Sequence, residues 1–248
     1  MVSVSVREWK TMVNEAIDIL GQPWEAVGSG RNLILTPGGC DGWWMSYIYL
    51  SPSSIGELIA YNAFLGRAMQ AKHTGDRGAD ARDLQFDGPR RRASEWLNPE
   101  ALAIFAQAAN DQLFATNPTP AEWLAAAEES HAFWLAADDR SMYERMFGPG
   151  KQRLVALRVI CQSRSREELV ADVEWVLADK HIRDYPPIST RVGEGPRVVD
   201  FFTELRDLLV ADDRSGVEEL ILRTRAESLA IMSIRNTGNP EFPKGASL

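Results

Sequence analysis

Apolar side chains recur every three or four residues along much of this chain, the interval that lines them up on one face of an α-helix. The stripe is clearest over Val6–Leu20, where Trp9, Val13, Ala16, Ile17 and Leu20 share a side and Gly21 and Pro23 follow to stop the helix. The same spacing predicts helices over Ile55–Ala71, Pro99–Ala115, Pro120–Ala137, Arg166–Lys180, Pro196–Val210 and Gly216–Ile234. Gln152–Cys161 is apolar enough for a buried helix or a strand, and periodicity does not separate the two.

Helix starts carry a chemistry of their own. A Ser or Thr followed three residues later by Glu satisfies orphan amides reciprocally. The pair occurs at Ser5/Glu8, Ser54/Glu57, Thr119/Glu122, Ser141/Glu144, Ser165/Glu168 and Ser215/Glu218. Pro99 and Pro120 stand at first helical positions, where no amide hydrogen is missed.

The β signal is confined to the N-terminal part. Asn32–Thr36 and Trp43–Leu50 flank the turn-rich Pro37-Gly38-Gly39-Cys40-Asp41-Gly42, which predicts a hairpin. A lone hairpin is marginal in water. Val2-Val4-Val6 alternates as a third strand would, but competes with the first helix for Val6. The fold class that follows is mainly α (α+β): a multi-helix domain with a small N-terminal β-hairpin or sheet. Residues 1–235 are expected to form one domain, with Gly148-Pro149-Gly150 the best internal boundary between an N-terminal α/β part with an acidic helical hairpin and a C-terminal helical part. Residues 236–248 read as a flexible tail, and the polar stretch 73–92 as a surface loop.

Charge changes this picture. The 248 residues carry 27 basic and 35 acidic side chains, a net charge of −8. Between Arg92 and Arg140 lie 47 residues without Lys or Arg, holding Glu95, Glu100, Asp111, Glu122, Glu128, Glu129, Asp138 and Asp139. The rest of the chain balances at 27 of each sign. Such a field repels phosphate backbones and draws a basic protein partner, most strongly at low salt. Arg90-Arg91-Arg92, the only basic run, is too small a footprint for nucleic acid on an acidic protein. No apolar run is long enough to cross a bilayer. Cys40 and Cys161 are read as free thiols, and the chain as cytoplasmic.

Candidate chemistry is sparse. Cys40 lies in a Gly-rich turn leaving a strand, where backbone amides can form an oxyanion pocket, with His131 or His181 as the base. The same turn makes an ordinary hairpin loop. Glu128-x-x-His131 has two-ligand spacing on a helix, but di-metal bundles need that motif twice. The acids and His73 of the loop fit no calcium-loop pattern. No dinucleotide loop, phosphate loop or Cys-x-x-Cys pair is present, so no cofactor is expected. Trp43 and Trp44 face opposite ways on a strand; unless both sheet faces are covered, one is open to a partner.

The reading is a non-catalytic protein-binding protein that presents an acidic helical surface to a basic partner, as an inhibitor, immunity protein or chaperone does. Its expected contacts are Glu122, Glu128, Glu129, Asp138, Asp139, Trp43 and Trp44. The alternative is a cysteine-dependent hydrolase or transferase using Cys40.

Overall fold

Ser5 accepts a bond from the Glu8 amide (3.2 Å) while Glu8 takes the Ser5 amide (2.7 Å), and from this capping box α1 (Val6–Leu20) runs over the expected span. In the computed structural model the described residues are 4–50, 58–68, 77–80, 96–115, 118–136, 140–179, 182 and 193–243. Arg31, residues 77–80, Trp134 and residues 140–149 are described by their backbone alone.

After α1 the chain forms β1 (Glu25–Val27), a 3-10 turn, β2 (Ile34–Thr36), β3 (Trp44–Leu50), β4 (Leu58–Phe64) and β5 (Arg77–Asp80), neighbours in that order in one sheet. The pairs β1–β2, β2–β3 and β4–β5 are antiparallel, with Ala26 opposite Leu35 and Leu35 opposite Ile48. The hairpin expected around Pro37–Gly42 is therefore β2–β3. Two expectations fail here. Within the helix expected over Ile55–Ala71, Leu58–Phe64 is instead the strand β4, and residues 77–80 of the expected loop form β5. Val6 goes to the helix, so it supplies no third strand. Ser54/Glu57 lies outside the described residues.

Seven helices are described. The remaining six are α2 (Pro99–Ala109), α3 (Pro120–Ala136), α4 (Arg140–Cys161), α5 (Arg166–Leu177), α6 (Val198–Val210) and α7 (Arg214–Met232). The class is mainly α, α+β. Asn98 caps α2 ahead of Pro99, and Ser165/Glu168 closes a full capping box on α5. At α7 the cap is Asp213, which accepts from the Gly216 amide and the Ser215 hydroxyl (both 2.9 Å), rather than Ser215. Gln152–Cys161 resolves as helix. α4 continues without interruption through Gly148-Pro149-Gly150, so the expected boundary does not fall there.

The chain divides into two compact units by a different route. Residues 1–63, 72–117 and 232–238 form the first; residues 64–71, 118–231 and 239–248 form the second. The first buries α1 against α2 and the sheet around Trp9, Leu35, Ile48 and Phe105, with the Trp9 indole donating to the Leu33 carbonyl (2.9 Å). In the second, α3 packs on α4, and α5 on both α4 and α6, around Leu157, Val173 and Phe202. Each acidic helix takes a partner inside its own unit: α2 pairs with α1 and α3 with α4. Nor does the C-terminal segment fray at 236. Asn236 makes a parallel bridge with Cys40, whose amide donates to Arg235 O (2.9 Å) and whose carbonyl accepts from Thr237 N (3.0 Å).

Candidate functional site

The helix α3 owes its start to Thr119 and Glu122. Glu122 Oε2 accepts from both the Thr119 amide (2.7 Å) and its hydroxyl (2.9 Å), and these bonds hold the Glu122 carboxyl below the usual carboxylate range. One side of α3 is packed: Trp123 and Ala127 are buried, and the Arg153 guanidinium of α4 lies 5.4 Å from the Trp123 ring. The opposite side is exposed. It carries Ala121, Glu122, Ala125, Ala126, Glu129, Ala132, Phe133 and Ala136, which recur at the three, four and seven spacing of one helix face. Only the two glutamates on it are polar. Phe133 is 68% exposed, and Leu135 at the margin is 61% exposed. A helix that borders water ordinarily turns a polar face outward, and α3 has no such face.

Behind this face lies a charge cluster on the side of α3 toward α4 and α5. Arg158, only 2% exposed, donates Nε to Glu128 Oε1 and Nη2 to Oε2 (both 2.7 Å), and Nη1 to Asp172 Oδ1 (2.9 Å). Arg164 reaches the same Asp172 oxygen (3.2 Å), while Asp172 Oδ2 is buried with no hydrogen bond among the described residues. The bond from Arg158 draws the Glu128 carboxyl below its usual range. His131, one turn on from Glu128, packs on the Trp175 ring at 5.5 Å, and Lys151 Nζ stands 4.3 Å from that ring. Burial, and then the nearby Arg158 charge, push the His131 pKa below its ordinary value. Sequence spacing does not reveal this cluster. Its one signal is Arg158 inside the apolar run Leu154–Ile160, since a buried arginine requires carboxylates.

The five described acids of this stretch fall in two different units. Glu100 and Asp111 belong to α2 and the turn after it in the first unit, where Asp111 accepts from Gln107 and Asn110. Glu128 is paired with Arg158. Glu122 and Glu129 remain on the exposed face of α3. Glu95, Asp138, Asp139 and His181 lie outside the described residues.

Trp43 and Trp44 are each 6% exposed, so both sheet faces are covered and neither indole is a surface anchor. Cys40 is buried too. Its Sγ lies 3.0 Å from the Trp44 carbonyl and 3.6 Å from that of Gly42, which share its single S–H proton. Its turn frames a cleft of roughly 190 Å³ together with Ser46, Asn110, Phe114 and Ile234. Beside the cleft, Ser46 donates to Asn62 Oδ1 (2.7 Å), and Asn62 Nδ2 donates to the Leu113 carbonyl of a π-turn, Asn110–Phe114 (3.2 Å). His131 belongs to the other unit. No described helix is long and apolar enough to cross a membrane. Compared with known proteins, the chain matches no family model, no curated protein and no solved structure.

Proposed function

We propose that this chain is a non-catalytic protein-binding protein, of the inhibitor, immunity-protein or chaperone kind, that receives a basic protein partner on the outer face of α3. One observation carries the reading: that face is apolar apart from Glu122 and Glu129, and Phe133 stands 68% exposed on it. Alanines raise helix propensity and account for their own presence. An exposed phenylalanine gains nothing from water, whereas aromatic residues ringed by polar ones are the usual anchors of an interface. The two carboxylates supply attraction toward a cation and a salt dependence.

This is a smaller surface than an eight-carboxylate ridge, and chemically a better one. Interfaces bind through an apolar centre with charges at the rim, where charge sets encounter rate and register more than affinity. The test is affinity capture from the native host at low and moderate salt, with wild type beside Glu129→Lys/Phe133→Ala. The reading expects a basic protein held by wild type, released by salt and lost from the variant. Equal capture by both proteins would remove it.

A further inference from the structure

The cleft beside the Cys40 turn lies within the first unit, a different unit from α3, and the polar side chains on its lining are nearly all hydrogen-bond acceptors. We infer that it is a binding site for an organic cation, an alkylammonium or alkylguanidinium group.

The hydroxyl and thiol groups of the lining have their only protons committed. Asn62 Nδ2 donates to the Leu113 carbonyl (3.2 Å), which turns Asn62 Oδ1 toward Ser46. Ser46 therefore gives its single hydroxyl proton to Asn62 (2.7 Å) and keeps lone pairs alone. The Thr36 hydroxyl stands 2.9 Å from the Ser46 carbonyl and 3.2 Å from that of Gly38; carbonyls only accept, so its proton is committed as well. Cys40 shares its S–H between two carbonyls in the same way. Asn110 turns its amide nitrogen to Asp111 (3.3 Å), and its oxygen accepts no hydrogen bond among the described residues. Asp41 completes the set. It is exposed, is the one charged residue of the described lining, and makes no ion pair or hydrogen bond among the described residues. Arg235 passes beside Gly39 but is not part of the lining and forms no ion pair with Asp41.

Acceptors and one negative charge call for a positive ligand rich in N–H donors. An anion would face lone pairs from these side chains and the Asp41 charge. A calcium ion fits less well, because it takes about six to eight oxygens, usually several of them carboxylate. No three carboxylate, His or Cys side chains gather anywhere among the described residues. Met45, Phe114 and Ile234 on the same lining suit a short methylene stem behind the cationic head. The volume of roughly 190 Å³ holds about six non-hydrogen atoms, at the ~30 Å³ a water molecule takes up in the liquid. That is the size of a guanidinium with a short alkyl tail. The π-turn Asn110–Phe114 brings residues to one wall, and such widened turns frequently mark functional sites.

The test titrates the full, isotope-labelled chain with methylguanidinium chloride and follows its amide signals by NMR at constant ionic strength. Methylurea, nearly the same shape without the charge, is titrated in parallel. The inference expects saturable shifts at Cys40, Gly42, Ser46 and Asn110 with methylguanidinium, and binding several-fold weaker with methylurea. It expects a similar several-fold loss in Asp41→Asn, which keeps the side chain's size and breaks no hydrogen bond; unchanged signals elsewhere confirm that this variant folds. A blocked glycine–arginine–glycine peptide separates the two sources of such a group. Tighter binding than methylguanidinium assigns the cleft to a basic side chain of a protein, and weaker binding assigns it to a free amine. Equal response to methylguanidinium and methylurea, shifts that do not saturate, or equal affinity in wild type and Asp41→Asn would overturn the site. Each of these results leaves the face of α3 standing, so the site and the protein-binding reading fail separately.

Discussion

Arg158 holds the Glu128 carboxylate through two parallel bonds of 2.7 Å, and so ties α3 to α4 at the level of His131. Its third bond, to Asp172, extends the tie to α5. The glutamate of the Glu-x-x-His spacing thus holds its own helix to its neighbours. The outer face of α3 keeps its position because the inner face is anchored there.

Removing that anchor should be costly. Arg158→Met leaves Asp172 buried with its charge incompletely matched, and losing one member of a buried pair costs about 3–5 kcal/mol. Arg158→Lys should recover only part, since an ammonium cannot make the paired bonds. Urea unfolding of the two variants measures both. A loss below about 1 kcal/mol, the worth of an exposed pair, would contradict the cluster's role.

His131 gives the stability a pH dependence of defined sign. Its folded pKa lies below the ordinary 6.5, so the unfolded chain binds the proton more readily. Stability contributed by the neutral imidazole is therefore complete above 6.5 and is lost as pH falls from there through the folded value. Glu128 acts at lower pH in the same direction: its depressed value stabilises the fold above 4.5 and the effect is lost as acid protonates it. Urea midpoints should drop between pH 7.5 and mildly acid pH in wild type, and drop less in His131→Gln. Parallel curves would refute the assignment.

The thiols should be slow. Burial pushes the Cys161 pKa up to about 11, and the Cys40 thiol is buried and donates to backbone carbonyls. Alkylation of the native protein near neutral pH should lag a free model thiol at both positions and become rapid on unfolding. Rapid native modification of Cys40 would revive the cysteine-enzyme alternative.

Gly39 is where the C-terminal segment meets its turn. A Cβ there would stand 2.5 Å from Thr237 Cγ2 and 2.8 Å from the Arg235 carbonyl. Gly39→Ala should loosen residues 235–237, seen as faster amide exchange at Cys40 and Thr237, and cost about 1–3 kcal/mol through overpacking. Unchanged exchange would mean the segment is not held at that turn.

What could be read in advance follows from where each determinant lies. For α1 the cap, the stripe and the stop are all local, and the predicted span is the observed one. β4 is not legible in the sequence because Leu58–Phe64 contains a buried Asn62, whose bonds go to Ser46 and Leu113 and appear only in three dimensions. Gly148-Pro149-Gly150 resembles a break because proline removes a helical bond, yet the flanking turns of α4 carry the helix across it. The acidic stretch was visible as a count of charges. Its division between two units, and the pairing of Glu128 with Arg158 thirty residues away, appear only in three dimensions.

The central claim is that Phe133 is covered when the protein does its work. Hydroxyl-radical footprinting compares that side chain in the purified protein and in the complex captured from the host. Heavy labelling of the free protein that falls several-fold in the complex, while exposed Ile104 on α2 keeps its labelling, is the predicted result. Equal labelling of Phe133 in both samples would contradict the account.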